Sequence, residues 1–136
     1  MISYREDLLD VTPERLTGFW QGWPIPPTPE MHMRILEGSE AVVLAIDTED
    51  DDRVVGFITA VGDGVLASHI PLLEVLPVYQ GRGIGTELVR RMLARLSDRY
   101  MVDLVCDEDV VPFYERVGMA RYGAMILRRP EALGRP

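Results

Sequence analysis

Cysteine is nearly missing from this chain of 136 residues: Cys106 stands alone, so no disulfide can staple the fold internally. With only His32 and His69 beside it, no metal-ligand spacing is present and no metal is expected. Long apolar runs are also lacking. No stretch approaches the roughly 20 residues of a membrane span, and the opening MISYREDLLD lacks the basic start and apolar middle of a secretory leader. These absences predict a cytoplasmic protein with no membrane partner. Positive charge is scarce: 14 Lys and Arg against 22 Asp and Glu give a formal charge of −8. Such a field repels a phosphate backbone, and no basic cluster with interleaved aromatics offsets it, which excludes nucleic acid as a partner. The same acidity draws in a cationic substrate such as an amine, and serves solubility equally well. Repeats and low-complexity tracts are absent, and the apolar fraction of 47% is ordinary. The length then fits one domain over residues 1–136.

What is present begins with a stiff connector. The stretch GWPIPPTPE, residues 22 to 30, holds four prolines. Before it, Thr12 with Pro13 predicts a short helix to about Trp20; after it, Thr28 with Pro29 predicts a second to about Glu37. Three apolar, β-branched stretches follow, AVVLAID, RVVGFITAV and VLASHIPLLEV, separated by TEDDD and GDG, and predict an antiparallel meander. Residues 84 to 100 carry Ile84, Leu88, Val89, Met92, Leu93 and Leu96 at helical spacing. MVDLVC reads as a short buried strand, DVVPFYERVGM as a helix closed near Gly118, and RYGAMILRR as a last strand. Right-handed connection places LLEV and MVDLVC parallel in one sheet. The fold class is therefore α/β with a mixed sheet, an antiparallel meander plus a parallel strand pair and flanking helices.

Three glycines, Gly81, Gly83 and Gly85, lie beyond the strand ending LLEV, at the start of the helix from Ile84. Ligands of open α/β sheets bind at that end, where a helix start aims its free amides. Glycine lets an anion approach those amides closely, and Arg82 or Thr86 can add charge or a donor. A tight strand-to-helix turn would use the same glycines. GRGIGT is neither GxxxxGK[ST] nor GxGxxG, which weakens nucleotide hydrolysis and dinucleotide redox as readings.

The arrangement Gln80-x-x-Gly83-x-Gly85 behind LEVLPVY resembles the acetyl-CoA signature of the GNAT superfamily of N-acetyltransferases. CDEDVVPFYERVGM resembles that family's late tyrosine motif, in a form especially similar to the arylalkylamine N-acetyltransferases. The resemblance spans roughly residues 54 to 128, with Met119 standing where the family usually has an aromatic. It implies acetyl-CoA as co-substrate and no metal, in a fold whose parallel strands splay apart. Its diphosphate would lie on residues 81 to 86, Ile84 included, beside Gln80, and its pantetheine arm along the main chain of Leu73 to Val75. Pro71 gives an independent hint, because a proline in a central strand implies a bulge or a separation. The resemblance also implies direct attack by a primary amine in a ternary complex. Tyr114 matches the general acid position, the alternatives being a hydrogen bond to the sulfur or a core tyrosine.

For the base, His69 matches a position used by family members and Glu74 is its rival; a structural histidine and a salt-bridged or solvated glutamate are the plainer alternatives. Alternation alone puts His69 on the face of Val75, unless the Pro71 region bulges, and Glu74 on the opposite face. Asp107, Glu108 and Asp109 are expected to cap the last helix. Cys106 reads as a small buried residue. Trp20 and Trp23, with Phe19, would wall an acceptor pocket or pack in the core, while Met31, Met33 and Leu36 read as core. The acceptor is a small-molecule or peptide amine, and the protein a monomer or homodimer. A catalytically silent acyl-CoA-binding module and a different anion-binding α/β protein are the competing readings.

Overall fold

The computed structural model describes residues 1–134. Five strands, β1 (Ile2–Arg5), β2 (Ala41–Asp47), β3 (Arg53–Gly62), β4 (Ala67–Val75) and β5 (Met101–Asp103), form one sheet in chain order. The first four are antiparallel and β5 runs parallel to β4. Helix α1 (Pro29–Gly38) precedes the meander, α2 (Ile84–Arg95) links β4 to β5, and α3 (Val111–Arg116) follows β5. Thr28 caps α1, its hydroxyl accepting the Met31 amide at 3.1 Å. Six successive residues of β2 are buried, because the sheet is covered on both faces and needs no polar alternation. On one face Gly56 lies against Ile84 and Leu88 of α2; on the other, Phe57 meets Phe19, Trp20 and His32.

The segment from Pro13 is not a helix to Trp20 but a single 3-10 turn, Pro13–Leu16, with no bond from the Thr12 side chain. Gly18 at φ +94 and Trp20 at φ +74 break it, and the chain peels off to lay Leu16, Phe19 and Trp20 into the core. Met31 and Met33 are only half-buried, whereas Leu36 and His32 are the buried positions of α1. Helix α2 stops at Arg95, short of residue 100, although Leu96 remains buried.

His32 was given no role by sequence, yet it is wholly enclosed, with ring centroids 4.3 Å from Phe57 and 4.8 Å from Trp20. Neither ring nitrogen has a partner among the described residues, and burial pushes its pKa down to about 4. A histidine lowered below its unfolded value binds fewer protons when folded, so its contribution is full above about pH 6.5 and is lost as pH falls toward 4. At about 1.4 kcal/mol per unit this is about 3 kcal/mol. Urea unfolding of the wild type and His32→Met from pH 7 to pH 4 should show the wild type losing about that much more; parallel curves would contradict it.

Candidate active site

Beyond Val75 the chain turns sharply. The Leu76 amide donates to the Val55 carbonyl at 2.8 Å, Pro77–Tyr79 makes a 3-10 turn, and α2 begins at Ile84. Gly81 (φ +78) and Gly83 (φ +80) hold left-handed backbone, which an L side chain would strain by about 1–2 kcal/mol each. Their φ values alone therefore account for two of the glycines. Gly85 has no such requirement: an added Cβ would meet only Phe113 and Val75 at ordinary distances of 3.8 and 3.9 Å. What its missing side chain preserves is space. Gly83 is the N-cap and offers no side-chain acceptor, and the first in-helix bond comes from the Glu87 amide to the Gly83 carbonyl at 3.1 Å. The amides of the first turn are thus left as donors with partial positive charge. Beside them is a cavity of about 270 Å³ lined by Gln80, Gly81, Gly83, Ile84, Gly85, Thr86 and Phe113, together with Val75 and Tyr79. Arg82 lies outside that lining; its guanidinium is 5.0 Å from the Tyr79 ring centroid and donates to the Val78 carbonyl. Tyr79 in turn donates to Asp47 at 2.6 Å, fixing the turn to β2.

The parallel pair separates where proline enters. Ladder partners run only from Ala67↔Met101 to His69↔Asp103, and β4 continues to Val75 with that edge unpaired. Opposite, Thr59 pairs with Leu72 and Val61 with His69, so Ile70 and Pro71 together face Ala60. This is a bulge on β4, and Pro71, having no N–H, cannot extend the ladder to β5. The strand MVDLVC is accordingly paired over three residues, not six. Because the Leu76 amide goes to β3, alternation sends the Leu72 and Glu74 amides the same way and turns the main chain of Leu73 and Val75 toward the gap. Gln80 shows this directly, its side-chain amide donating to the Val75 carbonyl at 3.0 Å.

The bulge also changes a face. Phe57, Thr59 and Val61 alternate on one side of β3 and pair with Glu74, Leu72 and His69. His69 therefore shares the Glu74 face, not that of Val75, because two residues of β4 occupy one ladder step. His69 nonetheless lies at the closed end of the gap, its Nδ1 2.6 Å from Asp103, and it is five residues from Glu74, on the order of 15 Å along a strand. Glu74 is half-buried and accepts the Trp20 amide at 2.5 Å. Burial pushes its carboxyl pKa up, against the lowering effect of the Trp20 and Gln21 amides. It lines a second cavity of about 310 Å³ with Gln21, Trp23, Pro71, Leu72 and Leu73, which shares Val75 and Gln80 with the first. Trp23 reaches that cavity and packs edge-on against Trp20 at 5.0 Å, whereas Trp20 itself is core.

Helix α3 brings Phe113 to the glycine cavity and Tyr114 beside it, with ring centroids 4.9 Å apart. Burial first, then proximity to Cys106, pushes the Tyr114 hydroxyl up to about 12, so it stays protonated at any working pH. The acidic run does not cap α3 through side chains: Asp107 makes no such bond, and Glu108 pairs with Arg121 at 2.9 and 3.0 Å. Cys106 is half-buried and free, with its thiol pKa pushed up by burial. Among the described residues no cluster of His, Cys, Asp and Glu could hold a metal, and no helix is long and apolar enough to cross a membrane.

The crystal structure of a candidate acetyltransferase from Deinococcus radiodurans R1 superposes on this chain with a TM-score of 0.92 at 52% identity. The match covers 96% of this chain and 90% of that one. A GNAT-family acetyltransferase from Streptococcus pneumoniae TIGR4 superposes with a TM-score of 0.74 at 31% identity, over 95% of this chain and 99% of that one. By sequence, a rice protein named serotonin N-acetyltransferase 2, chloroplastic, is 34% identical over 64% of this chain and 45% of its own length. An uncharacterized ycf52-like N-acetyltransferase of Prochlorococcus marinus is 38% identical over 48% of this chain and 38% of its own. This chain thus spans less than half the length of these two sequence relatives. The sequence profile of the acetyltransferase (GNAT) family matches residues 5–119. With that match over most of its length, and with the mixed, splayed sheet just described, the chain belongs to the GNAT family of acetyltransferases.

Proposed function

We propose that this protein moves the acetyl group of acetyl-CoA to a primary amine by direct attack in a ternary complex. One observation carries the reading: the free amides opening α2 and the unpaired edge of β4 border two cavities that share Val75 and Gln80 as lining. A diphosphate suits the first feature and a peptide-like arm the second. Acetyl-CoA fits these residues because Gly81 and Gly83 have open space at their missing Cβ positions and Gly85 leaves its cavity unfilled. When bound, it supplies an activated acyl carbon on a thiolate leaving group.

The chain's own groups do the rest. Gln80, Gly81, Gly83, Ile84, Gly85 and Thr86 hold the diphosphate, with Arg82 as a nearby charge, and Leu73 and Val75 bind the arm through main-chain groups. The Val75 amide, turned to the gap, donates to the developing oxyanion. Glu74, in the other cavity beside Trp23, draws in the ammonium and relays its proton to water; its raised pKa suits a base better than an ordinary carboxylate's. His69, held by Asp103, fixes the closed end of the gap. Tyr114 donates toward the leaving sulfur. The rice relative's name is that of an enzyme acting on an amine, which supports this acceptor class.

The test is thiol release from acetyl-CoA with a panel of primary amines. Amine-dependent release is expected, rising with pH through the Glu74 carboxyl's range. Glu74→Gln, which keeps an oxygen for the Trp20 amide, should lower kcat/KM by about 100-fold and remove that acidic limb. CoA binding with no release for any amine would favour a catalytically silent binding module.

A further inference from the structure

The turn that leads into the α2 amides is thinly supported. Its ends are held by the buried side chains of Leu76 and Ile84, but of residues 77 to 83 only Tyr79 is buried. A Cβ added at Gly81 or Gly83 would meet nothing within 4 Å, so nothing packs against the turn there. Its backbone bonds are local: the Tyr79 amide donates to the Leu76 carbonyl at 2.9 Å and the Gln80 amide to that of Pro77 at 3.2 Å. Bonds of this kind shape a turn without fixing it against the sheet, and a segment with so few buried contacts opens at little cost. One side chain, that of Tyr79, anchors its middle.

The anchor ends on Asp47, the last residue of β2, whose Oδ2 accepts the Tyr79 hydroxyl at 2.6 Å. Asp47 is itself immobile. It pairs with Ile2 on one side and Arg53 on the other, its Oδ1 accepts the Glu49 amide at 2.9 Å, and its side chain is 15% exposed. A hydrogen bond to a carboxylate is also about twice as strong as one between neutral groups. On the near side, the Tyr79 ring carries the Arg82 guanidinium, and Arg82 is the one basic residue between Leu76 and Thr86. Asp47 lines neither cavity. A carboxylate one tyrosine away from a diphosphate site opposes the ligand's charge, so its place there calls for another use.

We infer that Asp47 is a positioning residue for the cofactor: through the Tyr79 hydroxyl it holds the glycine turn and Arg82 where a diphosphate can meet them. This rests on the first turn of α2 being the diphosphate site. Donors fixed in advance bind without an ordering cost, whereas a turn released at its middle must be ordered by the ligand, and affinity falls by that much.

Calorimetric titration with CoA tests this on Tyr79→Phe, which keeps the ring, on Asp47→Ala and on the two combined. Each single variant should bind CoA about tenfold more weakly, the scale of one charge-assisted hydrogen bond. The combined variant should lose no more than Asp47→Ala alone, because both break the same link. Asp47→Asn, which keeps an oxygen for the hydroxyl, should restore affinity to within about threefold of wild type. Pantetheine, which has the arm without the diphosphate, should bind every one of these proteins equally when titrated by NMR. Unchanged CoA affinity in either single variant overturns the inference, as do losses that add in the combined variant. An equal loss for pantetheine also overturns it, since a residue that only supports the fold would weaken both ligands. A wild type that binds CoA no tighter than pantetheine removes the diphosphate site itself, and the inference with it. Tyr79→Phe decides the matter alone should Asp47→Ala not fold.

Discussion

Replacing Gly85 by leucine is expected to leave the protein folded and to weaken CoA binding by at least about a hundredfold. The backbone there is ordinary helix, and the nearest atoms to an added Cβ stand at 3.8 Å or more. Leucine is also favoured over glycine inside a helix by about 0.8 kcal/mol, so apo stability should hold or rise. The new side chain, however, enters the cavity in front of the α2 amides. Losing two charge-assisted hydrogen bonds at about 1.5–3 kcal/mol each exceeds the roughly 2.8 kcal/mol that a hundredfold in affinity represents. Calorimetric titration with CoA, beside a thermal melt without it, separates the two effects. Gly83→Ala is the poorer probe, because its φ of +80 would confound binding with strain. Unchanged affinity in Gly85→Leu would remove the cavity from the account.

Tyr114→Phe should lower kcat by about a hundredfold and leave CoA affinity within about twofold. With its hydroxyl near 12, Tyr114 is a full donor throughout the working range. Complete proton transfer to a thiolate of ordinary pKa, about 8.5, is uphill. The burial that raises the phenol also raises a thiolate formed in the same apolar surroundings, narrowing that difference as the C–S bond breaks. A hydrogen bond realised only as the sulfur gains charge acts on kcat and not on ground-state binding. Single-turnover rates and CoA titrations of both proteins check this. The wild-type profile should show no falling limb from Tyr114 below about pH 10. Equal loss in kcat and affinity would instead mean a tyrosine that only supports the fold.

The meander was legible in sequence because β2, β3 and β4 are β-branched runs bounded by acidic and glycine turns, and their ends fell within two residues of expectation. The glycine turn was legible because its chemistry is local. Pro71 pointed to the separation of β4 and β5, a consequence of an amide that does not exist. What escaped depended on partners distant in sequence. Ending the first helix at Leu16 follows from burying Leu16, Phe19 and Trp20 against Phe57 and His32, which no local preference encodes. The face of His69 hinged on a single extra residue in one strand of a ladder. His32 carried no signal: a lone histidine on a helix reads the same whether it is solvated or enclosed by three aromatic rings. RYGAMILRR was expected to be a last strand, but residues 119 to 129 form none, because an apolar run reports a preference and not the presence of a neighbour.

In the proposed reaction the first turn of α2 is the diphosphate site and the β4 edge is the seat of the pantetheine arm. A crystal structure with CoA tests this most directly. It should place the diphosphate oxygens within hydrogen-bonding reach of the amides of residues 83 to 86, and the arm along Leu73 and Val75 in the gap, with the sulfur near Tyr114. CoA bound elsewhere, with that turn empty, would contradict it.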